Sequence, residues 1–417
     1  MNNTIKLAVA SALLAAASSA SAAGGIVAGD WTLDIGGVVN AYYTSTRYSG
    51  DAGGTAPLGL GSGNGQTTAN ITTGLLPNYL SVSGKTRQND LDVGFTISIN
   101  PGASTKQAGN QAPQQENRQA FLTFGDKSWG SIKLGKDLGI YASDAILNDM
   151  TLLGVGSAAG SLAGNTTTLG RIGTGFMYAD WKSQVAYSSP NWNGFSFTAG
   201  LTQAWDALSS TLATGPAPSS VINLSAVSAN RGGSQTAYEA KASYEWAGDV
   251  AGKVWVSGIS QKVKNLTNGL TDLGSETATA FDIGANVNVA GFGLTGYYYD
   301  GKGVGTTGLG LGALDNAGKR RDSDNWYVQG TYTIPGVGTK LGVSYGESTL
   351  DGSRADKNFD GDGSYGLKEL QQSMWTVGAY HPLTKHLNLV AEYSEAKDEL
   401  KVVGDPSVDV KARTVSL

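Results

Sequence analysis

The 417-residue chain has no cysteine and only two histidines, so it cannot rely on disulfides to hold a small core together. Ser-His-acid chemistry would have to recruit His381 or His386, and both flank a predicted short turn beside Pro382. No H-E-x-x-H or phosphate-binding loop occurs, so no catalytic reading gains support and no cofactor is expected. Beyond the N-terminus no segment holds the ~18 consecutive apolar residues of a membrane helix. The net charge of −5 is mild and carries no basic surface for nucleic acid. No Pro-rich linker or shift of composition divides the chain into domains.

Lys6 precedes a compact apolar stretch, Leu7 to Ala17, followed by Ala20-Ser21-Ala22 at the spacing a signal peptidase accepts. Residues 1–22 are therefore expected to be an export signal and 23–417 a single mature domain. The exported part is rich in Gly (60), Tyr (18) and Trp (9), and the whole chain's mean hydropathy of −0.16 hides a strong local pattern.

That pattern is alternation. In Thr277 to Val289, Phe281, Ile283, Ala285, Val287 and Val289 fall on one face, with Asp282, Gly284, Asn286 and Asn288 on the other. Tyr238 to Trp246, Trp326 to Ile334 and Phe195 to Leu201 repeat it. Successive strand side chains point to opposite faces, so each segment has one apolar and one wet side. About sixteen such strands are expected, at 31–43, 78–85, 91–99, 118–124, 130–136, 183–189, 194–203, 236–246, 250–261, 277–289, 291–300, 324–334, 338–347, 371–381, 386–396 and 408–417. Short turns alternate with long Gly/Ser/Asn/Asp-rich loops near 44–77, 100–117, 137–182, 204–235, 262–276, 301–323, 348–370 and 397–407. A soluble sandwich has no reason to segregate loop lengths by end, whereas a transmembrane antiparallel β-barrel does. Trp31, Tyr42, Tyr43, Trp192, Trp246, Tyr298, Trp326, Tyr345, Tyr380 and Tyr393 lie near strand ends, where outward rings would sit at headgroup level.

Particular residues then point to a family. Arg118-Gln119-Ala120-Phe121-Leu122 followed by Gly130-Ser131-Ile132-Lys133-Leu134-Gly135-Lys136 resembles the RQAF…GxxxLG[RK] stretch of Gram-negative general porins. Tyr187-Ser188-Ser189-Pro190-Asn191-Trp192-Asn193-Gly194-Phe195 resembles their Y-x-SP-N-x-x-G-F turn. The likeness covers about residues 115–200 and implies sixteen strands, a homotrimer in the outer membrane, and a third long loop folded into the lumen. It further implies a water-filled channel for passive diffusion of small hydrophilic solutes and ions, with outer-membrane lipid and lipopolysaccharide around it. A substrate-selective channel, or a non-conducting structural or adhesive barrel, is the alternative. The chain departs from the family in ending at Leu417 rather than an aromatic residue: either Leu417 replaces that signal or further residues follow. The acidic loop motif of the enterobacterial members has no match within 137–182.

A general porin needs acids on the inward loop facing bases on the wall. The acids available are Asp137, Asp144 and Asp149; the bases on strands two to five are Lys85, Arg87, Arg118, Lys133 and Lys136. A helix over 143–150 with Ser143 as its N-cap is expected within the loop. Separately, Asn358, Asp360, Asp362 and Glu369 have the spacing of a calcium loop, with Gly363 at the turn position. A weakly held external Ca²⁺ is the expectation there, against a plain acidic surface loop.

Overall fold

The computed structural model describes residues 25–50, 65–103, 115–157, 167–206, 211–214, 220–223, 227–228, 235–268, 271–307, 310–357, 366–403 and 407–417. The expected leader and Asn358, Asp360 and Asp362 lie outside them.

The chain is all-β. From the N-terminus run β1 (Ile26–Ala28), β2 (Trp31–Val38), β3 (Tyr42–Gly50), β4 (Thr67–Thr72), β5 (Tyr79–Gln88) and β6 (Leu91–Pro101). There follow β7 (Gln115–Glu116), β8 (Ala120–Asp126), β9 (Gly130–Leu138), β10 (Trp181–Ser188) and β11 (Phe195–Gln203). Three short strands come next: β12 (Thr211–Thr214), β13 (Ser220–Asn223) and β14 (Val227–Ser228). The long hairpins are β15 (Thr236–Trp246), β16 (Val250–Asn268), β17 (Thr271–Val289), β18 (Phe292–Lys302) and β19 (Asp322–Thr333). The last are β20 (Lys340–Asp351), β21 (Leu367–Thr384), β22 (Leu387–Val402) and β23 (Val408–Ser416).

Twenty-one of these strands form one sheet and β12 with β13 a separate pair, so the expected count of about sixteen is exceeded. The excess has physical causes. The expected strand 31–43 is interrupted between β2 and β3, and the expected loop 44–77 contains the end of β3 and all of β4, which is separated from β5 by a second interruption. Asn40 spans both interruptions, donating to the Leu76 carbonyl and accepting from the Gly74 amide. The expected loop 204–235 also contains β12, β13 and β14. All sheet pairings are antiparallel, and the last strand pairs with β3, from Val410↔Gly50 to Ser416↔Thr44.

Tight hairpins sit at one end. Asn89 and Asp90 between β5 and β6 both adopt positive φ (49° and 60°), the mirror-type turn that matches strand twist and suits short polar side chains. The expected alternation is visible as exposure: Phe281, Ile283, Tyr238, Val328 and Val343 are exposed, while Asp282, Glu239, Gln329 and Ser344 are buried. Aromatic pairs gather at both margins of this apolar outer face. Trp192 with Phe195, Tyr244 with Trp246, and Phe292 with Tyr332 mark the short-turn end; Trp326 with Tyr345 and Trp375 with Tyr393 mark the other. Tyr42 and Tyr380, expected in this girdle, point inward instead, donating to the Leu153 carbonyl and to Glu392.

Beyond the second margin the pattern reverses. Glu369, Glu395, Lys397, Glu399, Lys401 and Arg413 take the outer face, joined by Lys401–Glu369 (2.6 Å), Lys397–Glu399 (2.8 Å) and Arg413–Glu395 (2.6 Å). The inner face becomes apolar, with Leu350, Leu367, Leu370, Leu400 and Val402 in one buried cluster. This is why β16, β17, β21 and β22 outrun their expected ends at 261, 277, 371 and 396. An apolar-out rule does not follow a strand past the point where water replaces lipid.

Candidate functional site

The connection from β9 to β10 leaves the sheet and crosses its inner face. It contains α1 (Ser143–Leu147) and a 3-10 turn over Met150–Leu153. The helix is shorter than expected and Ser143 is not its cap. Ala142, in left-handed geometry (φ 61°), occupies that position, and the Ser143 hydroxyl donates to the Ile140 carbonyl.

Backbone groups outside a ladder must find partners, and here the wall supplies them. Glu239 on β15 accepts the amides of Ile140 and Tyr141, both at 2.8 Å. Across the sheet, Glu392 on β22 accepts those of Val155 and Gly156 at 2.8 and 2.9 Å. Between these carboxylates, Tyr327 donates to the Ala145 carbonyl, and Gln329 both accepts the Met150 amide and donates to Asn148. The return limb is held by Ser348, which donates to the Thr174 carbonyl, and by Arg171, which donates to that of Met374. The buried Lys182 ammonium meets Glu239 at 2.6 Å and lies 3.5 Å from the Trp205 ring centroid.

One loop acid faces wall bases. Asp144 on α1 lies 2.8 Å from Lys241 on β15 and 2.7 Å from Lys253 on β16, and Lys253 also meets Glu245 at 3.1 Å. Burial works against the Asp144 charge, but Lys241 and Lys253 outweigh it and hold its pKa below the ordinary carboxylate value. The residues most central to this cluster come from β15 and β16, not from strands two to five. The wet face of Tyr238 to Trp246 was the signal in the sequence for Glu239, Lys241 and Glu245; nothing singled out Glu392, Lys253 or Arg171.

The other expected site residues are dispersed. Asp149 is buried and caps the 3-10 turn, accepting from the Thr151 amide (2.9 Å) and hydroxyl (2.7 Å). Asp137 is on the wall itself, paired with Lys133 and accepting from Gln119. Direct cross-strand partners share a face, and Lys85↔Gly94↔Thr123↔Lys133↔Ala186↔Gly200↔Glu239 puts Lys85 and Lys133 on the inner face. Arg87 is at the short-turn end, 2.8 Å from Asp92 and 2.9 Å from Asp126. Lys136 shares its face with Leu134 and Leu138 and so points outward, which removes it from the inner wall. Arg118 pairs with Glu116 (2.9 Å) and lies over the Trp181 ring, outside the Asp144 cluster. Of the calcium-like stretch, Glu369 is described; it sits on β21 against Lys401.

An apolar outer face between two aromatic margins, a polar inner face and an inward loop bearing an acid opposite lysines define an outer-membrane β-barrel channel. The family model of the Gram-negative porins matches residues 8–399, and the chain belongs to that family. Among solved structures it is similar in fold to the outer-membrane channel DcaP of Acinetobacter baumannii, with 14% identity, TM-score 0.59, and coverage of 94% of this chain and 100% of that one. The OmpT loop-deletion mutant of Vibrio cholerae (15% identity, TM-score 0.52, 93% and 100%) is also similar in fold. So is Salmonella typhi OmpF in complex with daunomycin (15%, 0.51, 94% and 98%). No curated relative matches. The protein is a porin of the outer membrane, a channel for passive diffusion.

Proposed function

We propose that sixteen staves close into one barrel, in which β2 with β3 and β4 with β5 each make a single broken stave and β1, β7, β12, β13 and β14 are rim segments. The pairing of β23 with β3 supports this reading. The loop between β9 and β10 sets the constriction, and Asp144 opposite Lys241 and Lys253 supplies the transverse field there. That juxtaposition, at 2.7–2.8 Å across the inner face, carries the reading. Small hydrophilic solutes and ions pass by diffusion, without reaction chemistry. Family membership supports a homotrimer; the apolar outer face fits membrane lipid, and the charged band beyond it fits the lipopolysaccharide headgroup layer.

Planar-bilayer recording of the purified protein tests the channel: steady current steps are expected, and a folded but silent protein would favour a structural or adhesive barrel. The unheated mass in mild detergent tests the trimer, and a monomer across several detergents would remove it.

A further inference from the structure

A second inward-folded block lies at the end of the sheet opposite the tight hairpins. In the connection between β18 and β19, Val304, Thr306, Ala313, Leu314 and Asp315 are almost fully buried. Ala313 and Leu314 pack on Val263 and Leu266 of β16. The Thr306 hydroxyl meets the Gly175 carbonyl of the constriction loop (3.4 Å) and Gln372 of β21 (3.0 Å), so the block rests directly on that loop.

One ion pair fastens it. Arg321, fully buried immediately before β19, forks onto Asp356 at 2.7 and 2.9 Å and donates to the carbonyls of Gly312 and Leu314 at 3.1 and 2.8 Å. Asp356 belongs to α2 (Arg354–Lys357), in the connection between β20 and β21, and also accepts the Ser353 amide. A second tie runs between the same two connections, from the Ser353 hydroxyl to Asp315 at 2.6 Å. Buried ion pairs contribute little net stability compared with apolar packing; their best-attested use is to select one arrangement, and the two-pronged Arg–carboxylate geometry suits that use.

The geometry points to the Arg321–Asp356 pair as a strap that holds this block over the outer mouth and limits the size of solute admitted. The inference rests on the diffusion-channel reading and adds to it a size limit set outside the constriction. Arg321 and Asp356 are positioning residues: they act through the block they hold and touch no solute.

The test uses full-length protein in vesicles, with swelling rates for neutral sugars of increasing size and single-channel conductance. Asp356→Ala is expected to admit larger sugars and raise conductance while the heat-induced unfolding of the barrel stays unchanged. Because the chain has no cysteine, the double variant Asp315→Cys with Ser353→Cys, placed on the Asp356→Ala background, gives one switchable tie at the same place. Oxidation should return the sugar cut-off to the wild-type size or below, and reduction should raise it. Identical cut-offs for wild type, Asp356→Ala and both redox states of the double variant would overturn the strap. A wild-type protein that passes no sugar at all would overturn the channel reading and the strap with it.

Discussion

Replacing Asp144 by Asn removes one negative charge from a balanced cluster, in which Asp144 and Glu245 face Lys241 and Lys253. The lysines are then in excess by one charge. At ~6 Å in water, a unit charge changes the energy of a passing ion by about 0.7 kcal/mol, and physiological salt screens that to about 0.3 kcal/mol. The sign is opposite for cations and anions, so the anion-to-cation permeability ratio should rise about three- to tenfold. The same substitution weakens two charge-assisted hydrogen bonds, worth about 1.5–3 kcal/mol each, so α1 is also held less firmly. Lys241→Gln separates the two effects: it too loosens α1, but its charge change is reversed. Reversal potentials across a KCl gradient should therefore move toward anions for Asp144→Asn and toward cations for Lys241→Gln. If both variants move the same way, loop displacement governs selectivity and the transverse field at this cluster is refuted.

Asp149→Asn should leave the reversal potential unchanged, because Asp149 serves Thr151 inside the loop rather than the lumen; a shift as large as that of Asp144→Asn would contradict this placement. Val343→Lys, on the exposed outer face, should cost about 2–4 kcal/mol if it lies near the bilayer midplane, whereas Gln371→Lys, on the charged band, should cost close to nothing. Urea titration of the two variants folded into vesicles measures the difference. If Asn358, Asp360, Asp362 and Glu369 take Ca²⁺, millimolar Ca²⁺ should slow proteolysis of 348–370 and Glu369→Ala should abolish the protection. Since Glu369 already faces Lys401 at 2.6 Å, Lys401→Gln should strengthen it.

The parts of the fold written in alternation were the parts legible in the sequence. Phe281 and Ile283 against Asp282 and Gly284 identify a strand and its two environments, because one face meets hydrocarbon and the other water. That reading stops where both faces change character: Leu400 and Val402 turn inward while Glu399 and Lys401 turn outward, so β22 passes unnoticed beyond 396. The candidate site was legible in kind but not in partner. An inward loop acid opposite wall lysines follows from the family pattern, yet which lysines meet Asp144 depends on how far the loop travels across the lumen. That distance is set by Glu239 and Glu392, whose partners on the loop are backbone amides and so leave no trace in side-chain spacing. Lys136 illustrates the sensitivity of parity: one residue from Asp137, it belongs to the opposite face.

The reversal of face beyond the aromatic margin also fixes the depth at which the barrel floats. Like the load line on a hull, Tyr345, Trp375 and Tyr393 separate a greasy side from a charged one within a single pleat of the strand. Sinking the molecule by one pleat would carry Glu347, Glu395 and Arg413 toward the hydrocarbon, at about 0–1 kcal/mol apiece near the interface and more with each further step. Raising it would carry Val343 and Val377 toward the headgroup layer and lose part of their contact with hydrocarbon. Neighbouring staves impose the same stop, so the penalties add around this arc. In a bilayer of another thickness it is therefore the lipid that must stretch or thin to meet the wall.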